Sequence, residues 1–154
     1  MKLALNHFSI RTTNMEATRL FYEATLGVTV GPRPAFPFPG LWLYNGSHDD
    51  VANALVHVIG IDLNDPEGLK QYLGERDLSS LKGSGAVDHI ALFDTGLEEK
   101  LSQLRKSGIP VRERTVPVIG LHQVFMDDPN GVVIELNYPA QEKTALDAKL
   151  KAQG

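Results

Sequence analysis

The sequence predicts an α+β fold made of two tandem βαβββ modules whose curved mixed sheets enclose a shared pocket. Three observations carry that expectation. Histidines fall mid-strand at His7, His57 and His89, and a carboxylate, Glu135, falls in an otherwise apolar strand. The order strand, helix, Gly, short strand, two further strands occurs twice. The matching positions keep nearly constant spacing: His7 and His89 are 82 residues apart, Gly40 and Gly120 are 80, and His57 and Glu135 are 78. A repeat in which each unit has a helix on one sheet face only leaves the other faces free to curl together.

The clearest element is Gly120 to Tyr138. Asp127-Asp128-Pro129-Asn130-Gly131 is turn chemistry, with Pro129 presetting φ and Asn130-Gly131 tolerating positive φ, so strands must flank it. Alternation puts Val132, Ile134, Leu136 and Tyr138 on one face and Val133, Glu135 and Asn137 on the other. Burying a strand carboxylate is costly unless it is paired, hydrogen-bonded or bound to a metal.

Residues 3–11 alternate as a strand with Leu3, Leu5 and His7 on one face and Ala4, Phe8 and Ile10 on the other. Asn14 caps a helix with Leu20, Phe21 and Ala24 on its apolar side, ending near Gly27. Four prolines between Pro32 and Pro39 forbid regular structure, and the loop they make leads into a strand through Trp42 that ends at Asn45-Gly46. Residues 54–61 form the next strand, with Leu55, His57 and Ile59 on one face. Asp65-Pro66 opens a connector helix carrying Leu69, Tyr72 and Leu73.

Residues 77–86 are polar and glycine-bearing, which divides the chain into a first module with its connector helix (1–76), a linker (77–86), a second module (87–139) and a tail (140–154). In the second module Val87, His89, Ala91 and Phe93 share a strand face, and Thr95 with Glu98 forms a capping box for a helix striped by Leu97, Leu101 and Leu104. Strands follow near 111–115, 120–126 and 132–138. The tail is either a terminal helix or disordered.

Composition narrows the function. A net charge of −4 with no basic stripe gives nucleic acid or an anionic membrane no electrostatic support. With no cysteine there is no disulfide framework and no thiolate site. No run approaches the roughly 20 apolar residues that span a bilayer, and the start lacks the pattern of a secretory signal, so a cytoplasmic protein is expected. His7, His57, His89 and Glu135 at repeat-matched positions form a hard-to-intermediate divalent metal set, and two histidines with one carboxylate are the pattern of non-haem Fe(II).

Four segments carry a resemblance to a known family: NHFSIRTTNMEATRLFYEATLGVTVG, LWLYNG followed by LVHVIG, AVDHIAL, and GLHQVFMDDPNGVVIELNYP. Together, over residues 3–138, the chain resembles the vicinal oxygen chelate superfamily, which includes glyoxalase I, extradiol dioxygenases, fosfomycin resistance proteins and bleomycin-binding proteins. The resemblance implies that His7, His89 and Glu135 are metal ligands matching the extradiol triad. His57 falls where glyoxalase-type members carry a glutamate, which makes it a fourth ligand or an acid/base. The implied function is a metal-dependent enzyme on a small molecule, most simply an extradiol-type dioxygenase on a catechol-like aromatic with Fe(II), or Mn, Ni or Zn in its place. Lyase or isomerase chemistry through an enediolate, or antibiotic binding without chemistry, are the alternatives, and a homodimer is expected.

Other candidates are His122, a pocket acid/base or a plain strand residue whose repeat counterpart reads as Trp42, and Arg33 and Arg114, which either hold an anionic substrate or are solvated. Phe36, Phe38, Trp42, Tyr44 and Phe125 line an aromatic pocket or pack a core.

Overall fold

The computed structural model describes residues 5, 7–74, 81–85 and 87–153. Leu3 and Ala4, most of the expected 77–86 linker, and the Tyr72 and Leu73 side chains lie outside the described residues. The chain divides into two units, Met1–Lys82 and Gly83–Gly154. Each holds one four-stranded mixed sheet and its helices, so the fold is α+β with two similar modules.

In the first unit β1 (Phe8–Thr12), α1 (Met15–Leu26), β2 (Thr29–Gly31), β3 (Gly40–Tyr44), β4 (Ala54–Gly60) and α2 (Glu67–Leu73) follow in order. The sheet runs β1-β4-β3-β2, with β1 parallel to β4 and the other neighbours antiparallel. Asn14 caps α1 by accepting from the Ala17 N–H at 3.0 Å, and Gly27 ends it in the left-handed region at φ 68. The buried side of α1 is Thr18, Phe21, Tyr22 and Thr25, whereas Leu20, expected on that side, is 51% exposed. Phe21 sets the true stripe, and Leu20 falls one step of about 100° off it. That stripe covers the Val56 and Val58 face of β4, leaving Leu55, His57 and Ile59 on the other face. The helix α2 lies against the proline loop so closely that a Cβ on Gly68 would collide with Pro37.

In the second unit β5 (Ile90–Phe93), α3 (Leu97–Lys106), β6 (Arg112–Val116), β7 (Leu121–Asp127), β8 (Val133–Pro139) and α4 (Ala140–Gln153) repeat the plan, with a longer closing helix. The sheet order is β5-β8-β7-β6, with β5 parallel to β8. The predicted turn is present: Asp128 Oδ1 accepts from the N–H groups of Asn130 and Val132, each at 2.8 Å, and Gly131 has φ 80. The expected capping box is absent. Gly96 is the N-cap of α3, and Glu142 of α4 accepts from the Gly96 and Leu97 N–H groups at 2.9 and 2.7 Å. The tail is therefore a helix that completes α3, and Lys149 pairs with Glu98 at 2.5 Å along it.

The two registers are equivalent. Ser9 faces His57 across β1 and β4, and Ala91 faces Glu135 across β5 and β8. His7 and His89, expected within strands, each stand one residue ahead of theirs, because the parallel ladders begin at Phe8↔Val56 and Ile90↔Ile134. The glycine match between the halves is shifted: Trp42 faces His57 while Phe125 faces Glu135. The counterpart of Trp42 is thus Phe125 rather than His122. A 3-10 turn at Pro117–Ile119 and left-handed Gly120 precede the seven-residue β7, whereas Gly40 already begins the five-residue β3.

Candidate functional site

In the first unit, register places Trp42 and His57 side by side, and their rings stack at 4.2 Å with 9° between planes. His7 stacks on His57 at 3.9 Å and 15°. Burial, and secondarily the neighbouring His7, push the His57 pKa down from 6.5 to about 4, against a hydrogen bond to the Ala54 backbone. His57 is therefore a neutral imidazole at neutral pH, with a lone pair to give and little acid to offer.

The row continues through the proline loop. Phe36 lies 6.2 Å from Trp42 and stacks on Phe38 at 5.4 Å. The Arg33 guanidinium sits 4.9 Å from the Phe36 ring centre and 5.1 Å from that of Phe38, donates to the Phe38 carbonyl at 2.9 Å, and has its pKa lowered by burial. Tyr44 is separated from this row by the bulge at Leu43/Tyr44. It is buried, its hydroxyl donates to the Pro32 carbonyl at 2.7 Å, and its ring covers Gly31, where a Cβ would come within 2.5 Å.

In the second unit, His89 Nε2 lies 3.1 Å from Glu135 Oε2, and His89 Nδ1 lies 2.7 Å from Asp88 Oδ1. Glu135 is 4% exposed. Its other oxygen, Oε1, accepts from Gln123 Nε2 and Asn137 Nδ2, both at 2.7 Å. Arg114 donates through Nε and Nη2 to Gln123 Oε1 at 2.8 and 2.6 Å, which turns the Gln123 amide nitrogen toward Glu135. Arg114, expected to meet substrate or solvent, is exposed and also donates to Gln123, and it lies 5.1 Å over the Phe125 ring. Phe125 meets His89 edge-on at 6.1 Å.

The alternation of β7 puts His122 on the opposite face from Gln123 and Phe125, together with buried Val124 and Met126. It is 1% exposed, with Nδ1 2.8 Å from Thr115 Oγ1 and Nε2 3.0 Å from Glu113 Oε2. His122 is therefore not brought to Glu135. Gln123, Asn137 and Asp88 were not singled out from the sequence. The signal for two of them was present, since Asn137 shares the face of Glu135 and Gln123 that of Phe125.

One pair of the expected donors has a spacing compatible with a divalent ion. Two adjacent ligands each about 2.1 Å from an ion lie about 3 Å apart at a right angle, which is the His89 to Glu135 separation. The Asp88 contact and the two amides would orient these ligands as hydrogen-bonding partners of metal ligands do. Among the described residues, no three His, Cys, Asp or Glu side chains gather to hold an ion; each unit brings together two of the predicted donors.

Among proteins of curated function none matches the sequence significantly. Solved structures do match in fold. A putative glyoxalase family protein from Bacillus anthracis superposes with a TM-score of 0.62 at 21% identity, covering 90% of this chain and 97% of that one. The trypanothione-dependent glyoxalase I of Leishmania major gives 0.61 at 21% identity and 99% of each chain. The fosfomycin resistance protein FosX of Listeria monocytogenes gives 0.57 at 13% identity, covering 90% and 94%. At these identities the likeness is one of fold. Residues 4–136 match the profile of the Glyoxalase/Bleomycin resistance protein/Dioxygenase superfamily, and the chain belongs to that superfamily.

Proposed function

We propose that this protein is a metal-dependent enzyme whose metal donors are His7, His57, His89 and Glu135, acting on a small molecule that chelates through two neighbouring oxygens. The observation that carries this reading is the His89 and Glu135 pair, 3.1 Å apart with the second carboxylate oxygen already held by two amides. His7 and His57 occupy the equivalent register positions in the other module. A divalent ion held there would supply a Lewis acid and a template for the two oxygens.

The more specific reading is an extradiol-type dioxygenase on a catechol-like aromatic, with Fe(II) ahead of Mn, Ni or Zn. Imidazoles and one carboxylate suit Fe(II), and Phe36 and Trp42 offer ring surface beside His57. His57, neutral at neutral pH, serves as a donor rather than an acid.

The test loads wild type and Glu135→Ala with each of the four metals, measures bound metal, and follows oxygen uptake with catechol. Equimolar oxygen uptake and a ring-opened product with Fe(II), lost in the variant, is the expected result. Thioester formation from the methylglyoxal–glutathione adduct without oxygen uptake would replace the dioxygenase with a lyase. Failure of wild type to retain any of the metals overturns the metal-dependent reading altogether.

A further inference from the structure

Arg33 is placed as a ligand-binding cation is placed. Its guanidinium lies over Gly40, where a Cβ would come within 3.1 Å of Nε. Gly40 is two residues from Trp42 on β3, so the cation stands on the same sheet face as Trp42 and His57. Two rings hold it there, and four prolines stiffen the loop that carries it.

Its hydrogen bonding is incomplete. Guanidinium has five N–H donors, and among the described residues the Phe38 carbonyl is the only acceptor that Arg33 reaches. Arg19 by contrast has Glu16 and Glu23, and Arg112 has Asp127. Arg33 has no carboxylate partner among the described residues, although it is half-buried. Its Nε and Nη1 have no protein acceptor among the described residues and are not shut off from solvent, so they are open to an anion.

We propose that Arg33 recognises the acid group of the substrate, and that the first unit binds a planar aromatic carboxylate with its ring along Phe36 and Trp42. The proposal rests on the function proposed above only in assigning the opposite end of that ligand, near His57 and His7, to chelation.

The probes are 3,4-dihydroxybenzoate and its uncharged methyl ester, titrated into metal-free protein by calorimetry. Trp42 is the sole tryptophan, so its fluorescence gives a second reading at the face itself. Wild type is expected to bind the acid about tenfold more tightly than the ester, with the preference shrinking as salt rises. Arg33→Gln should bring the ratio near one, with an unchanged circular dichroism spectrum certifying the fold, and Arg33→Lys should fall between. Equal binding of acid and ester by wild type, a preference that survives Arg33→Gln, or no binding of either at millimolar concentration overturns the proposal. Ring cleavage indifferent to the acid group sinks this inference and leaves the dioxygenase standing, whereas an Arg33-dependent preference in a protein that retains no metal does the reverse.

Discussion

Trp42 and His57 face each other across β3 and β4 with their rings 4.2 Å apart and nearly parallel, and this contact, with His7 stacked on it too, shields part of the imidazole from water. Removing water from an imidazole disfavours its charged form. The folded His57 pKa of about 4 lies below its ordinary 6.5, so the unfolded chain takes up the proton first as pH falls. The metal-free protein should therefore keep the full contribution of this stack above pH 6.5 and lose it progressively toward pH 4. Urea unfolding of wild type and His57→Gln across that range checks this; identical slopes for the two would refute it.

The Gln123 amide joins Arg114 to Glu135, and both neighbours are left short of a partner when it goes. Gln123→Met should destabilise the protein by about 2 kcal/mol, because the buried Glu135 carboxylate loses an amide donor, while the exposed Arg114 exchanges its lost acceptor for water. Under the proposed function it should also weaken metal retention, read by competition with a chelator. A stable variant with wild-type retention would count against any role for the amide in orienting Glu135.

The start of α3 depends on a residue from α4. Glu142→Ala should cost about 1–2 kcal/mol, since two N–H groups lose a charged acceptor at a helix N-terminus. Thr95→Ala should cost less than about 0.5 kcal/mol, as expected for a surface change that removes no cap. Thermal unfolding of both variants separates the two; the reverse order would restore the capping box read from the sequence.

Local chemistry explains which features were legible. The turn at Asp127–Gly131, the Asn14 cap, the Gly27 stop and the side of β8 that carries Glu135 all follow from residues within a few positions of one another. The Glu142 cap, the Arg114–Gln123–Glu135 chain and the pairing of Phe125 with Glu135 join residues from different elements. They need a strand register or a helix position that no short pattern encodes. The repeat was readable through His7, His57, His89 and Glu135, whose ladders match. It misled at Gly40 and Gly120, because the two hairpins differ in strand length ahead of a shared turn residue. Side-chain identity drew attention to His122, yet its parity along β7 puts it on the core face.

Both histidines that precede strands do so at the edge of a sheet, on the strand paired in parallel to the far end of its own unit. That pairing has the greatest sequence separation in each half, so by loop-closure entropy it is the slowest to nucleate. The hairpins β3–β4 and β7–β8 are local, and the same entropy favours their assembly first. A chain arrested at that stage presents His57 against Trp42, and Glu135 against Phe125, but His7 and His89 are still untethered. The contacts of His7 with His57 and of His89 with Glu135 are consequently products of the closing contact in each unit, and a half-folded chain has one member of each pair where the finished one has two.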